Sequence, residues 1–371
     1  MLYNPELVEP LTETGWNEAD VRARVEQIAD EHEAAYDPET LWPAGEWESV
    51  DTRLPLATLY AGASGIAWAL ARLGRDSGAI ASRALEAWRT EPDYDPSLEP
   101  PVYSDASLYF GETGPLLVAW LLTGEAGLAD DLYTRVRENV EAQANELMWG
   151  QAGTMLVAKA ALERTGDERW ADAWQASADI LLEHRDDEGL WDAGPLGRFL
   201  GPAHGASAIA QVLGDTRATA DALARYAVVE DGLANWPPVA GRELVDRKDG
   251  KIRVQWCHGA AGIVASAADY LDDELVLGGA ELTWKAGPLP DEQGYGLCHG
   301  TAGNGYAFLK AFERTGDELW LDRARHFAVH ALEQVDRLPP RYSLMTGSIG
   351  AAVFAADCIE PRAAFPIVDV L

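Results

Sequence analysis

The sequence predicts an all-α fold: a closed, double-layered ring of seven helical hairpins, each with an inner and an outer helix. Three observations predict it. First, a Gly-x-x-G step followed by a small-apolar helix recurs at Gly62/Gly65, Gly111/Gly114, Gly150/Gly153, Gly259/Gly262, Gly300/Gly303 and Gly347/Gly350. A seventh copy stands at Gly205, with Ala208 in place of the second glycine. The leading glycines lie 39 to 55 residues apart, the span of two helices plus two connections. Second, residues 150–170 and 300–320 share register at an offset of 150, including ERTGDE and Trp170/Trp320. Third, no stretch sustains the alternation of period two that strands need.

Taken in order, residues 1–50 form a lead-in with one helix near Glu18–Tyr36, packed against the ring. Leu54–Ala71 is uncharged but holds a proline, two glycines, a serine and a threonine, so it reads as a loop entering a buried helix, not a membrane span. Each glycine turn then opens a helix with few charges in its first turns, such as GPLLVAWLL or GIVASAADYL. A helix that is apolar nearly all round is buried on both sides. Thr165-Gly166-Asp167 ends one of them: Gly166 suits a left-handed cap, and Asp167 can cap the next helix. That next segment, ERWADAWQASADILLEHR, is amphipathic and belongs to the outer layer. Glycines where helix ends crowd favour closure of the array. The chain, 1–371, is then a single domain whose inner-helix N-termini point to one mouth, where their partial positive charge favours anions.

Composition narrows the function classes. The formal charge is −32, from 29 Lys+Arg against 61 Asp+Glu. That excludes nucleic acid as a partner, because phosphate binding needs clustered cations. It also argues against an anionic membrane surface. Only five of the 29 basic residues are lysine, a balance that fits adaptation to high salt. The three cysteines, Cys257, Cys298 and Cys358, are too few and odd in number for a disulfide framework, so a reducing cytoplasm is expected. The segment MLYNPELVEPLTE has no basic start or apolar run and is not a signal peptide.

Two consecutive turns carry cysteine: Trp256-Cys257-His258-Gly259 and Leu297-Cys298-His299-Gly300. They place two thiols and one or two imidazoles at one mouth. Zinc takes such sulfur and nitrogen ligands, and three protein ligands leave a fourth position open. The alternative is that both cysteines are small buried hydrophobes. Their shared repeat position, directly before a histidine and the motif glycine, argues for the metal.

At these residues the chain resembles the lanthionine synthetase C-like (LanC-like) family. The resembling stretches are ELMWGQAG (146–153), FLGPAHG (199–205), WCHGAAG (256–262), GYGLCHGTAGNGYAFL (294–309), SLMTGSIG (343–350) and AAFP (363–366). They run from the third repeat onward; the first two repeats match weakly. The resemblance implies an α/α toroid of seven inner and seven outer helices. It implies zinc held by Cys257, Cys298 and His299, with His204 as the catalytic histidine. Glu146, where peptide cyclases usually carry Asp, and His258, where they often carry Tyr, place the chain nearer the standalone LanC-like branch. Ala208 departs from the family's glycine.

The remaining candidates divide by position. Glu146 is either a second acid/base that orients His204 or a carboxylate capping a glycine turn. Trp149 and Trp256, just upstream of motif glycines, are expected to line the mouth and grip a peptide, with Tyr295 a weaker pocket candidate. Arg198 and Arg253 could hold a substrate carboxylate or pair with neighbouring acids. Cys358 reads as core, and His32, His184, His326 and His330 as surface or satisfied-core residues.

The expected function is zinc-dependent addition of a thiol to dehydroalanine or dehydrobutyrine in a peptide or protein. The thiol would be similar to glutathione, or a peptide cysteine. Zinc deprotonates the thiol, and His204 protonates the α-carbon. The alternatives are a zinc- and thiol-binding protein without turnover, and a carbohydrate enzyme on an α/α toroid. The latter needs two facing carboxylates, for which the turns offer only Glu112 and Glu146. A cytoplasmic monomer is expected. The charge also makes a prediction: the melting temperature should rise from low to molar KCl, because screening shortens the self-repulsion to about 3 Å. A flat or falling melting temperature would contradict the high-salt reading.

Overall fold

The computed structural model describes residues 1–45, 54–94, 104–193, 197–246 and 249–371. Residues 46–50 of the predicted lead-in and Lys248 lie outside the described residues. Helices dominate. In chain order they are α1 (Glu18–Ala35), α2 (Ala63–Arg72), α3 (Gly78–Thr90), α4 (Thr113–Thr123), α5 (Ala126–Glu138), α6 (Gln151–Thr165), α7 (Arg169–His184), α8 (Ala206–Leu213), α9 (Arg217–Tyr226), α10 (Ala260–Ala267), α11 (Asp273–Ala286), α12 (Thr301–Thr315), α13 (Glu318–Arg337) and α14 (Ser348–Ile359). Among the described residues the only sheet is an antiparallel pair, Val228–Glu230 with Leu233–Asn235.

Even-numbered helices form the inner layer. Every residue of α10 is buried, as are the first eight of α4. Odd-numbered helices form the outer layer and bury one face. Gly166 takes φ +67 as a left-handed cap, and Asp167 accepts the backbone N–H of Arg169, as the sequence predicts. The seventh outer helix departs from expectation. No helix follows α14 in the chain; α1 fills that place. It packs on α14, Arg24 reaches Asp336 of α13 at 2.7 Å, and Arg75, after α2, reaches Glu26 at 2.7 Å. The outer layer is therefore closed by the N-terminal helix. Residues after Ile359 turn inward instead, where Phe365 stacks on Trp256 at 4.3 Å and 2°.

The helix N-termini correct a second expectation. Their first N–H groups are already bonded to carbonyls seven residues back: Ala63 to Leu56, Ala206 to Phe199, Thr301 to Gly294 and Ser348 to Arg341, all at 3.0–3.1 Å. Donors spent on the incoming loop do not converge on an anion. What the glycines provide is close approach. A Cβ added at Gly303 would overlap the carbonyl oxygen of Leu297. The neighbouring turn also presses in: the Cβ of Leu59 would lie 2.7 Å from one at Gly114, and that of Leu344 2.8 Å from one at Gly65.

Gly303→Ala should therefore lose about 3 kcal/mol or more, the upper range for overpacking. Gly127→Ala, in α5 with open space around it, should gain a few tenths from helix propensity, on the order of 0.5 kcal/mol. Urea unfolding followed by circular dichroism separates the two; equal effects would refute close approach as the reason for the motif.

Candidate functional site

The glycine turns sort the mouth into columns. Two residues before the leading glycines stand Tyr60, Tyr109, Met148, Ala203, Cys257, Cys298 and Met345. One residue before stand Ala61, Phe110, Trp149, His204, His258, His299 and Thr346. The first column is stitched by backbone bonds across five consecutive turns. Cys257 N–H donates to Cys298 at 3.0 Å, Cys298 to Met345 at 2.8 Å, Met345 to Tyr60 at 3.3 Å, and Tyr60 to Tyr109 at 3.0 Å. The belt crosses the ring closure between the last turn and the first. It fixes where each column side chain starts.

Cys257 Sγ, Cys298 Sγ and a ring nitrogen of His299 lie within 4.8 Å of one another, the two thiols buried and the imidazole half-buried. Ligand atoms 2.0–2.3 Å from a tetrahedral ion stand about 3.4–3.8 Å apart, so the trio fits zinc with little adjustment. The thiols do not ionise alike. The hydrogen bond from Cys257 holds Cys298 well below the usual thiol range; burial opposes this, and His299 adds to it. Bonding to Cys298, together with burial, pushes Cys257 up.

Beside the trio, one turn on, His204 Nδ1 meets Glu146 Oε2 at 2.8 Å. Glu146 is buried, whereas the His204 side chain is 38% exposed. Glu146 caps its own turn and also contacts His204. Its carboxylate accepts the backbone N–H groups of Met148 and Gly150 at 3.0 Å and that of Trp149, and its other bond orients His204. Burial alone would lower the His204 pKa, but the Glu146 hydrogen bond and charge outweigh it and hold the pKa above 6.5. His258 behaves oppositely. Burial first, then the charge of His204, lowers it to about 3, so it stays neutral. Its ring stacks on Phe199 at 5.4 Å and lies 6.2 Å from that of His204.

Other candidates move. Trp149 is half-buried at the rim and stacks on Phe110 at 4.3 Å. Trp256 does not line the mouth: it stands three residues before its glycine and is buried against Phe365. Tyr295 is core, its hydroxyl bonded to the Pro339 carbonyl. Arg198 pairs with Asp186 and Glu188, and Arg253 with Asp246 and Asp249. Glu112 is held by Arg89 of α3 and Arg135 of α5. Cys358 is fully buried, as are His32 and His330; His184 bonds Asn145 and His326 bonds the Asp322 carbonyl. Ala208 is buried in α8. Sequence reasoning missed Tyr60, which stands in the cysteines' column, and Gln255, whose Oε1 lies 3.6 Å from Cys257 Sγ. The column register could have found both, since Gln255 stands four residues before its leading glycine, as Glu146 does.

A helical toroid whose mouth gathers two thiols, an imidazole and a carboxylate-backed histidine is thus defined by fold and site. The family model described as lanthionine synthetase C-like protein matches residues 56–370, and the chain belongs to that family. The match begins before the first glycine turn, so it includes the two repeats whose motifs resemble the family weakly. The chain is 33% identical over 196 residues to glutathione S-transferase LANCL1 of Danio rerio, covering 46% of each. It is 33% identical over 126 residues to LanC-like protein GCL1 of Arabidopsis thaliana, covering 29% of this chain and 28% of that one. The chain thus spans less than half the length of the curated relatives it matches. The solved structure of nisin cyclase superposes with a TM-score of 0.59 at 18% identity, covering 91% of this chain and 94% of that one. That likeness establishes the toroid.

Because Glu146 raises the His204 pKa, their pairing stabilises the fold fully below about pH 6.5 and is lost as pH rises through the folded His204 value. Glu146→Gln should lower the His204 pKa, read by NMR of the ring, and remove that part of the pH dependence. An unshifted His204 would dissolve the pairing.

Proposed function

We propose that this chain adds a thiol to dehydroalanine or dehydrobutyrine in a peptide or protein, using zinc held by Cys257, Cys298 and His299. The supporting observation is that the sulfur–nitrogen trio and the Glu146–His204 pair open on the same rim from neighbouring turns. A zinc ion on that trio would supply a Lewis acid that keeps an incoming thiol deprotonated at neutral pH. The protein's own residues carry the rest. The thiol sulfur bonds the β-carbon, and the alkene π pair moves to the α-carbon and its carbonyl. The nascent enolate then takes a proton. Glu146 occupies Nδ1 of His204, which leaves Nε2 as the donor, and the Glu146 hydrogen bond and charge favour the protonated imidazole against the effect of burial. Trp149 and Phe110 offer the acceptor an aromatic wall.

One relative is named a glutathione S-transferase, which supports a thiol of that class. We take the thiol to be glutathione-like or a peptide cysteine, and the chain to act as one cytoplasmic unit, a monomer in high salt. No helix of the described residues is long and apolar enough to cross a membrane. A binding protein without turnover would need the trio but not the oriented imidazole; the Glu146–His204 bond therefore favours catalysis.

The test pairs metal content with product mass on a dehydroalanine peptide and a panel of small thiols. Wild type should hold one zinc and form thioether. Cys298→Ser and Cys257→Ala should lose the metal and turnover together. His204→Asn should keep the metal and lose roughly 10²–10⁴-fold in rate, the usual contribution of a positioned acid. Undiminished turnover in His204→Asn would make His258 the next candidate, and no product with any thiol would move the reading to binding alone.

A further inference from the structure

The rim column, one residue before each leading glycine, holds two arcs. Phe110 and Trp149 make one, and the imidazoles of His204, His258 and His299 make the other. All five side chains keep part of their surface exposed, whereas Ala61 and Thr346 at the ends of the column are buried. The aromatic arc is a ladder of rings from three consecutive turns. Phe110 lies 4.3 Å from Trp149 at 21° and 4.8 Å from Tyr60 at 32°. Tyr60 comes from the turn before and Trp149 from the turn after, so Phe110 has a ring against each face. Tyr94 stands nearly perpendicular to Phe110 and Trp149, 5.8 Å from each. The ladder ends beside the acid: the Trp149 N–H is bonded to Glu146 Oε1, and Glu146 Oε2 holds His204. A ring with both faces covered exposes its edge, which suits another aromatic ring or an aliphatic group. A cation needs a face. The ladder is therefore built for apolar contact, although the charge of −32 attracts basic side chains at long range.

We propose that the Tyr60–Phe110–Trp149 ladder is a specificity subsite that selects an acceptor peptide with a large apolar residue, aromatic above aliphatic, directly beside the dehydroamino acid. This deepens the function proposed above and rests on it. The dehydro residue must reach His204 to receive its proton, and Glu146 ties the end of the ladder to that histidine. Successive Cα atoms of a peptide stand about 3.8 Å apart. The rungs stand 4.3 and 4.8 Å apart. A step of one residue along the acceptor therefore carries the next side chain from the imidazole arc onto the aromatic one. The ladder touches the flank of the substrate and takes no part in bond making at the reacting carbons.

The test measures binding by the full chain without turnover. Peptides with Ala in place of dehydroalanine carry Phe, Leu, Gly, Lys or Glu on either side of it and are titrated calorimetrically at low and at molar KCl. The Phe peptide should bind about tenfold more tightly than the Gly peptide, the scale of half-burying one aromatic side chain, with Leu between them. Trp149→Ala should bring that ratio close to one, and Trp149→Phe should keep most of it. The ratio should persist at molar KCl, because an apolar contact is not screened. With dehydroalanine peptides and glutathione, the same preference should appear in KM and leave kcat alone. Should Trp149→Ala fail to fold, Phe110→Ala takes its place. Equal binding of all five peptides, binding of none, or a preference for Lys that fades at molar KCl would overturn the subsite. Thioether product formed without any flanking preference would overturn the subsite alone. A Phe preference in binding with no product from any peptide and thiol would overturn the proposed reaction and leave the subsite standing as a peptide-binding surface.

Discussion

Everything at the mouth depends on how tightly each glycine turn seats on its neighbour. The second glycine of a turn receives the side chain three residues before the preceding turn's leading glycine, the last turn preceding the first across the closure: Leu344 at Gly65, Leu59 at Gly114, Leu108 at Gly153, Pro202 at Gly262, Leu297 at Gly350. A methyl group at these glycines would overlap backbone carbonyls or that incoming side chain. The same seating brings the residues one position later into backbone contact, which makes the belt from Cys257 through Cys298, Met345 and Tyr60 to Tyr109. Packing and hydrogen bonding thus solve one geometric problem together. The reactive side chains inherit their spacing from it.

That dependence explains what was legible in the sequence. A structure built from one repeated contact must repeat its glycines, so the ring, its buried inner helices and its mouth could be read from spacing. The cysteine pair was legible because it occupies one column twice. Where the structure breaks the repeat, spacing is silent. The seventh outer helix is α1, separated in sequence from the α14 it covers. Trp256 reads as a rim residue by proximity to Gly259, but its column is the inward-seated one, and it is buried against Phe365. Gln255 shares the position of Glu146, four residues before a leading glycine, but meets Cys257 only through the local fold of its own turn. The supposed convergence of helix N-termini failed for a simpler reason: the turns consume those donors.

The acidic surface and the site obey different electrostatics. Arginines near the surface bridge neighbouring elements, as Arg169 does with Asp130, Arg185 with Asp215 and Arg314 with Asp273. Such exposed pairs contribute little each, about 0–1 kcal/mol. A planar guanidinium still suits them better than an ammonium, which is consistent with so few lysines. Inside the mouth, charge is handled by burial and hydrogen bonds. Glu146 is saturated by three backbone N–H groups as well as His204.

The order of residues around the rim bears on a conflict built into the proposed chemistry. A thiolate nucleophile and a protonated imidazole beside each other would exchange a proton and cancel. In the proposed chemistry the acid, His204, belongs to the turn of Gly205, while the residues that would hold zinc and its thiol belong to the turns of Gly259 and Gly300. His258 stands beside His204 on the rim. Burial and the charge of His204 keep its pKa at about 3, so it offers no second proton to the sulfur and no competing charge to the acid. Its stacking on Phe199 holds the ring in place. In the proposed chemistry a neutral imidazole beside His204 adds no second positive charge next to the acid.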